Sequence, residues 1–299
     1  MAAADFEILD ARFRECIRTS ASIDRLYTGC RWTEGPVYFA ALRTLLFSDI
    51  PNDRMLKLDE ESGTISVFRR PADYTNGNTL DRQGRLVSCQ HGPRRVVRTE
   101  HDGAITVLAD RYQGKRLNSP NDVVVKSDGS IWFTDPSYGI DSDYEGYEAP
   151  SELGERRVYR IDPHAGEVRM VADGFTQPNG LAFSTDERRL FIADSGASPS
   201  MIRVFAVRDD QTLSAGEVFA TLAEGFFDGF RIDVRDRVWT SAGEAIHCYE
   251  PDGTLIGRIR MPELVANLTF GGPRGNRLFI TATSSLYSVL VAVRGAKTI

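Results

Sequence analysis

Six residues with oxygen-bearing side chains, Glu34, Asn76, Asn121, Asn179, Asp228 and Asn267, recur at one position of a repeating pattern. Each stands about ten residues before an apolar anchor, in turn Leu45, Leu86, Ile131, Leu190, Val238 and Leu278. Carboxylate and carboxamide oxygens brought to one point form a site for a hard divalent cation. Ca²⁺ is the first expectation, because it tolerates irregular geometry and neutral carbonyl donors. Mg²⁺, Mn²⁺ and Zn²⁺ stay open, although the thiolates and imidazoles that Zn²⁺ more often takes are missing from the set. Taken singly, an Asn-Gly or Asp-Gly pair is ordinary turn chemistry. Six in register weigh against that reading.

Around this set lie further polar residues. Asn78 follows Asn76 by two positions, and Asp49, Gln90 beside His91, Asp135 and Asp194 stand where the next strand of each unit ends. A general base or a partner for substrate hydroxyls is expected there, against the alternative that the aspartates cap hairpin ends. His91 reads as a proton shuttle or as a satisfied loop residue. Asp122 reads as a residue orienting Asn121 or as a catalytic one. The run from Asp141 to Glu152 has the acids and the glycine of an EF-hand loop but no flanking helices, so it is read as an acidic insertion. A Gly-x-Ser-x-Gly elbow, a Walker loop and a Rossmann fingerprint are missing.

The elements that must position these residues follow from the repeat. RTLLFSD (43–49), GRLVSCQ (84–90), GSIWFTD (129–135), RRLFIAD (188–194), DRVWTSA (236–242) and NRLFITA (276–282) share one form, and their anchors lie about 47 residues apart on average. Short β-type runs after tight turns at that period predict propeller blades. The expected fold is all-β: a six-bladed β-propeller with four-stranded blades spanning 23–299, whose last blade is closed by an N-terminal strand near Ile23–Gly29. Residues 1–22 are read as an extension outside the propeller, with a short helix at Asp10–Ile17. An insertion at 136–156 is read as a lid. Trp132, Phe191, Trp239 and Phe279 share one register and are expected to pack blades together.

Composition narrows the function classes. The 299 residues carry 36 Lys+Arg against 42 Asp+Glu, a formal charge of −6, with no basic block, which disfavours nucleic acid and anionic membranes as partners. No apolar run is long enough for a membrane span. Four cysteines without metal spacing read as reduced thiols, so the expected location is cytoplasmic, as a monomer or homodimer.

Trp32-Thr-Glu34-Gly-Pro36, Leu46-Phe-Ser-Asp49-Ile-Pro51, Asn118-Ser-Pro-Asn121-Asp122, Phe133-Thr-Asp135-Pro136, Gln177-Pro-Asn179-Gly-Leu181 and Asp228-Gly229 together resemble the gluconolactonase and regucalcin family of six-bladed propellers, in its bacterial form. The resemblance implies a divalent-metal-dependent lactonase acting on a small-molecule lactone. It implies Glu34, Asn179 and Asp228 as metal ligands and Asn121 as a ligand or a substrate contact. Ser119 stands where mammalian-type members carry an arginine; the nearest basic residue is Arg116. The expected mechanism has the metal polarising the lactone carbonyl, Asp228 activating water, and Asn78, His91, Arg116, Asn121 and Asp135 binding substrate. Two other readings stand beside it: an arylesterase or phosphotriesterase on the same metal site, and a noncatalytic calcium-binding propeller.

Overall fold

The structure, a computed structural model, describes residues 2–3 and 5–296. Six antiparallel sheets are arranged as the blades of a propeller, each running from an innermost strand outward. Blade one is Thr33–Phe39, Thr44–Asp49, Arg54–Asp59 and Ile65–Arg69; the following four blades repeat this order. Blade six takes Val265–Gly271, Arg277–Ala282 and Ser285–Leu290 from the C-terminal end and its fourth strand, Ser22–Thr28, from the N-terminal end. That strand pairs antiparallel with Ser285–Leu290, with Thr28 opposite Ser285, so the ring has no open seam.

Alternation along the strands puts a large aromatic side chain of the second strand into a seam between blades in four of the six blades. Trp132 of blade three packs with Leu181 and Leu190 of blade four. Phe191 packs with Phe230 of blade five, Trp239 with Val265 and Phe270 of blade six, and Phe279 with Tyr38 and Leu45 of blade one. All four are fully buried.

The N-terminal segment is built into the propeller instead of lying outside it. Asp5–Ile8 adds a fifth strand to blade five, and Ala2–Ala3 pairs with Ser22–Thr28. The short helix is a 3₁₀ turn over Ala11–Glu15, capped by Asp10, whose Oδ1 accepts from the Arg12 N–H at 2.9 Å. It drives Phe13 into the blade five core, where Gly257 leaves room for the ring because any side chain there would collide with it. All four cysteines are free and buried. Among the described residues no helix is long and apolar enough to cross a membrane.

Candidate active site

The innermost strands are not regular. In four blades the pairing slips at the oxygen-bearing residue: between Glu34 and Val37, Thr75 and Asn78, Pro178 and Leu181, and Val265 and Asn267. A bulge of this kind breaks the two-residue alternation and re-aims a side chain. In blades three and five the strands Val123–Val125 and Phe230–Ile232 begin just after the corresponding residues, and hydrogen bonds from the second strand hold them: Asn121 N–H donates to Thr134 O at 2.9 Å and Asp228 N–H to Ser241 Oγ at 2.9 Å.

Glycine makes the ring tight. At Gly35, Gly77, Gly180 and Gly229 a Cβ would run into the next blade's ring residue: the carbonyls of Asn76, Asn121 and Asp228, and the side chain of Asn267. Gly35 also has a φ of 51°, a conformation that side chains strain. These Glu-Gly, Asn-Gly and Asp-Gly pairs therefore serve blade-to-blade approach more than turning. In blade three Asp122 replaces the glycine, and its Oδ1 accepts from the Val123 N–H at 2.9 Å. Gly180→Ala is expected to displace Asp228, destabilising the protein by about 1–3 kcal/mol and lowering turnover although it touches no substrate; melting and kinetics on one preparation would check both.

The ring residues are buried: Glu34, Asn76, Asn121, Asn179, Asp228 and Asn267 are each at most 5% exposed. Glu34 Oε2 accepts from Gly35 N–H at 2.8 Å and from Asn267 Nδ2 at 3.0 Å, a bond that joins blade six to blade one. Burial pushes the Glu34 carboxyl up to about 8, and Asp122 and Glu145 add to the shift. Asp228 is likewise pushed well above the carboxylate range, first by burial and then by Glu34, Glu145 and Asp122, with a hydrogen bond to Asn179 opposing. Asn76 Oδ1 is buried without a partner. Asp122 Oδ2, also buried and without a hydrogen bond, lies 3.8 Å from Arg231. Beyond the ring the channel opens into a cavity of about 470 Å³ lined by Val37, Val123, Phe183, Ile232 and Phe270, into which none of the six ring residues reaches.

Other expected site residues have different placements. Asn78 is committed in the seam between blades one and two: Nδ2 donates to Gly35 O, Ser48 Oγ and Asn76 O, and Oδ1 accepts from Ser88 Oγ. It has no group left for substrate. Asp135 is fully buried under the chain at Asn118, whose N–H donates to its Oδ2 at 2.9 Å; burial raises its carboxyl to about 7. Asp49 and Asp194 accept backbone N–H groups of Arg31, Thr176 and Gln177, so the mouth aspartates hold loops. Arg116 sits on the hairpin strand Lys115–Arg116, with Nη2 donating to Pro93 O. These placements share a cause: residue type and register are read from sequence, but a bulge or loop crossing decides which way the group turns.

His91 is fully buried beside the ring. Its Nδ1–H donates to the Glu145 carbonyl at 3.1 Å, which leaves Nε2 as the acceptor for Asn76 Nδ2 at 3.4 Å. Burial lowers its pKa to about 4, so it is neutral at physiological pH and orients Asn76.

The insertion supplies two groups that sequence reasoning missed. Tyr138, opening the one-turn helix Tyr138–Asp141, is in hydrogen-bond contact with Asn179 and Ser195, and burial together with the Asp228 charge pushes its phenol up. Glu145 brings a half-buried carboxyl close enough to raise both Glu34 and Asp228; burial raises its own to about 7. The available signal was Asp-Ser-Asp-Tyr-Glu-Gly in an insertion of the third unit. The remaining acids of that run diverge: Asp141 accepts from Ser137 and Gln177, and Asp143 from the Glu148 N–H.

Residues 32–284 match the family model described as SMP-30/Gluconolactonase/LRE-like region. A solved structure of a gluconolactonase from Xanthomonas campestris superposes with a TM-score of 0.91 at 38% identity, over 97% of this chain and 96% of that one. The gluconolactonase of Zymomonas mobilis is 28% identical over 93% of this chain and 83% of its own length. The pentonolactonase of Haloferax volcanii is 29% identical, covering 85% of this chain and 82% of its own.

Proposed function

The chain belongs to the SMP-30/gluconolactonase/LRE-like family, and we propose that it hydrolyses a sugar lactone at the Glu34, Asn121, Asn179 and Asp228 mouth with one divalent cation held there. The observation that carries this reading is the set of buried oxygen donors that separate blades bring to one end of the channel, Glu34 and Asn179 at bulges and Asn121 and Asp228 just ahead of their strands. The donor set suits a hard cation: two buried carboxylates, with Glu34 adding to the rise of Asp228, amide oxygens beside them, and an orphaned Asn76 Oδ1. Among the described residues no three His, Cys, Asp or Glu side chains gather as a metal cluster, so the amides of Asn179 and Asn121 are required.

A cation bound by these oxygens supplies polarisation of the lactone carbonyl and stabilisation of the charge that develops on it. Asp228, steadied by Asn179, takes a proton from the attacking water. The water oxygen bonds to the carbonyl carbon and the ring C–O bond breaks. The ring oxygen receives the proton held by Asp228 and becomes a hydroxyl; the new acid ionises. Tyr138 fixes Asn179 from the lid side.

Metal-stripped protein assayed on glucono-1,5-lactone, with Ca²⁺, Zn²⁺, Mg²⁺ or Mn²⁺ added back, tests this. Activity absent after stripping and restored by one ion is the expected result. Full activity in the stripped protein would overturn the metal, and restored metal binding without lactone turnover would overturn the substrate class.

A further inference from the structure

The channel has a second end, and its walls differ in kind from those of the cation mouth. Past the ring residues, Val37, Val123, Phe183, Ile232 and Phe270 of the innermost strands line the cavity of about 470 Å³. Gly295 and Ala296 complete the wall: Ala296 N–H donates to Ile232 O at 2.9 Å, and a Cβ at Gly295 would collide with Phe270. Water finds few partners on apolar walls, whereas an apolar space of this size with a small number of polar groups is the ordinary form of a small-molecule site.

Most of the charged groups at this end are already engaged. Glu187 accepts from Ser127 N–H at 2.8 Å and lies 3.7 Å from Lys126 Nζ. Asp186 accepts from Ser184 Oγ at 2.7 Å and from Arg188 N–H at 3.0 Å. Arg231 donates to Phe230 O at 2.8 Å and lies 3.8 Å from the Asp122 carboxyl. Arg82 is different. It lines the cavity from the exposed turn that follows the strand Thr75–Leu80, and no hydrogen bond or ion pair holds its guanidinium among the described residues. The Thr79 hydroxyl, half-buried on the same strand, has no partner among them either. The rim therefore offers an uncommitted cation with an uncommitted donor three residues before it.

Independently of the lactonase reading, we infer that this end of the channel binds an amphipathic carboxylate, with its apolar chain among Val123, Phe183, Ile232 and Phe270 and its head group at Arg82 and Thr79. A straight chain of about eight to ten carbons suits a space of this size. Burial of the chain drives binding, and the guanidinium selects the anion because a carboxylate accepts from its parallel N–H groups. The site is separate from the cation mouth, since none of the six ring residues lines it.

Calorimetric titration of the holoenzyme with hexanoate, octanoate and decanoate, and with 1-octanol beside them, tests this. One equivalent of octanoate is expected to bind, with each two-carbon step along the series tightening binding about tenfold. Octanol, which lacks the charge, is expected to bind about tenfold more weakly than octanoate. Arg82→Glu, on an exposed turn, is expected to weaken octanoate about tenfold while octanol binding and the melting temperature stay as in wild type. Thr79→Leu, inside the channel, is expected to weaken octanoate as well. Glu34→Gln is expected to bind octanoate as wild type does. Failure of octanoate to bind, equal affinity for octanol, or an unchanged octanoate affinity in Arg82→Glu would overturn the inference. Loss of octanoate binding in Glu34→Gln would also overturn it, by assigning the carboxylate to the cation mouth.

Discussion

Asp228→Asn is expected to lower kcat for glucono-1,5-lactone about 1,000-fold without unfolding the protein. The side chain keeps its shape and its neighbour Asn179, but loses the ability to hold a proton from water. The same variant has a second readout that involves no turnover. Glu34 and Asp228 carry folded-state pKa values above those of an unfolded chain, Glu34 at about 8 against 4.5. A carboxyl raised in this way binds more protons in the folded state, so stability present at acid pH is lost as pH rises from about 4.5 to about 8. In the presence of a chelator the melting temperature should therefore fall across that window. Asp228→Asn removes one of the repelling charges and should flatten the fall. A variant that kept full turnover would remove Asp228 from the chemistry. A variant whose melting fell with pH as steeply as wild type would remove it from the buried charge pair.

The second large effect is expected far from the mouth. Phe13→Ala deletes a fully buried ring that lies against Gly257 and 6.0 Å from the Trp239 ring, centre to centre. Loss of a buried aromatic side chain costs about 3–5 kcal/mol where the surroundings cannot collapse. Here the wall is a strand of blade five and the Trp239 packing that joins it to blade six, both fixed by their sheets. Chemical denaturation should show a lowered midpoint with the slope retained. A loss under 1 kcal/mol would mean that the N-terminal segment is only draped on the surface.

Much of the ring was legible in the sequence because the propeller repeat supplies a register. Once Leu45, Leu86, Ile131, Leu190, Val238 and Leu278 are aligned, the residues at the channel mouth follow from counting back. Counting does not reveal the bulges. Asn76 and Asn78 are two apart and would share a face in a regular strand, yet the slip between Thr75 and Asn78 leaves one beside His91 and turns the other into a seam. Asp135 follows the repeat as closely as the ring does, but the chain at Asn118 crosses over it. Phe13 was hidden for another reason. Its place depends on Gly257, far away in the sequence, and a 3₁₀ turn of five residues carries no periodicity. Glu145 lies in an insertion, where the repeat has no counterpart to align.

The pairing of Ser22–Thr28 with Ser285–Leu290 also ties closure of the ring to the synthesis of its latest strand. Most of blade six emerges from the ribosome after blades one to five, while its outer strand and the segment bracing blade five emerge before them. Until Ser285–Leu290 has emerged, that early strand has an unpaired edge and the circle stays open. The nascent chain therefore carries sticky β-edges throughout the synthesis of the five intervening blades, the state in which chaperone capture matters most. A chain cut between Arg260 and Ser285 keeps five complete blades but lacks the strand that Ser22–Thr28 pairs with.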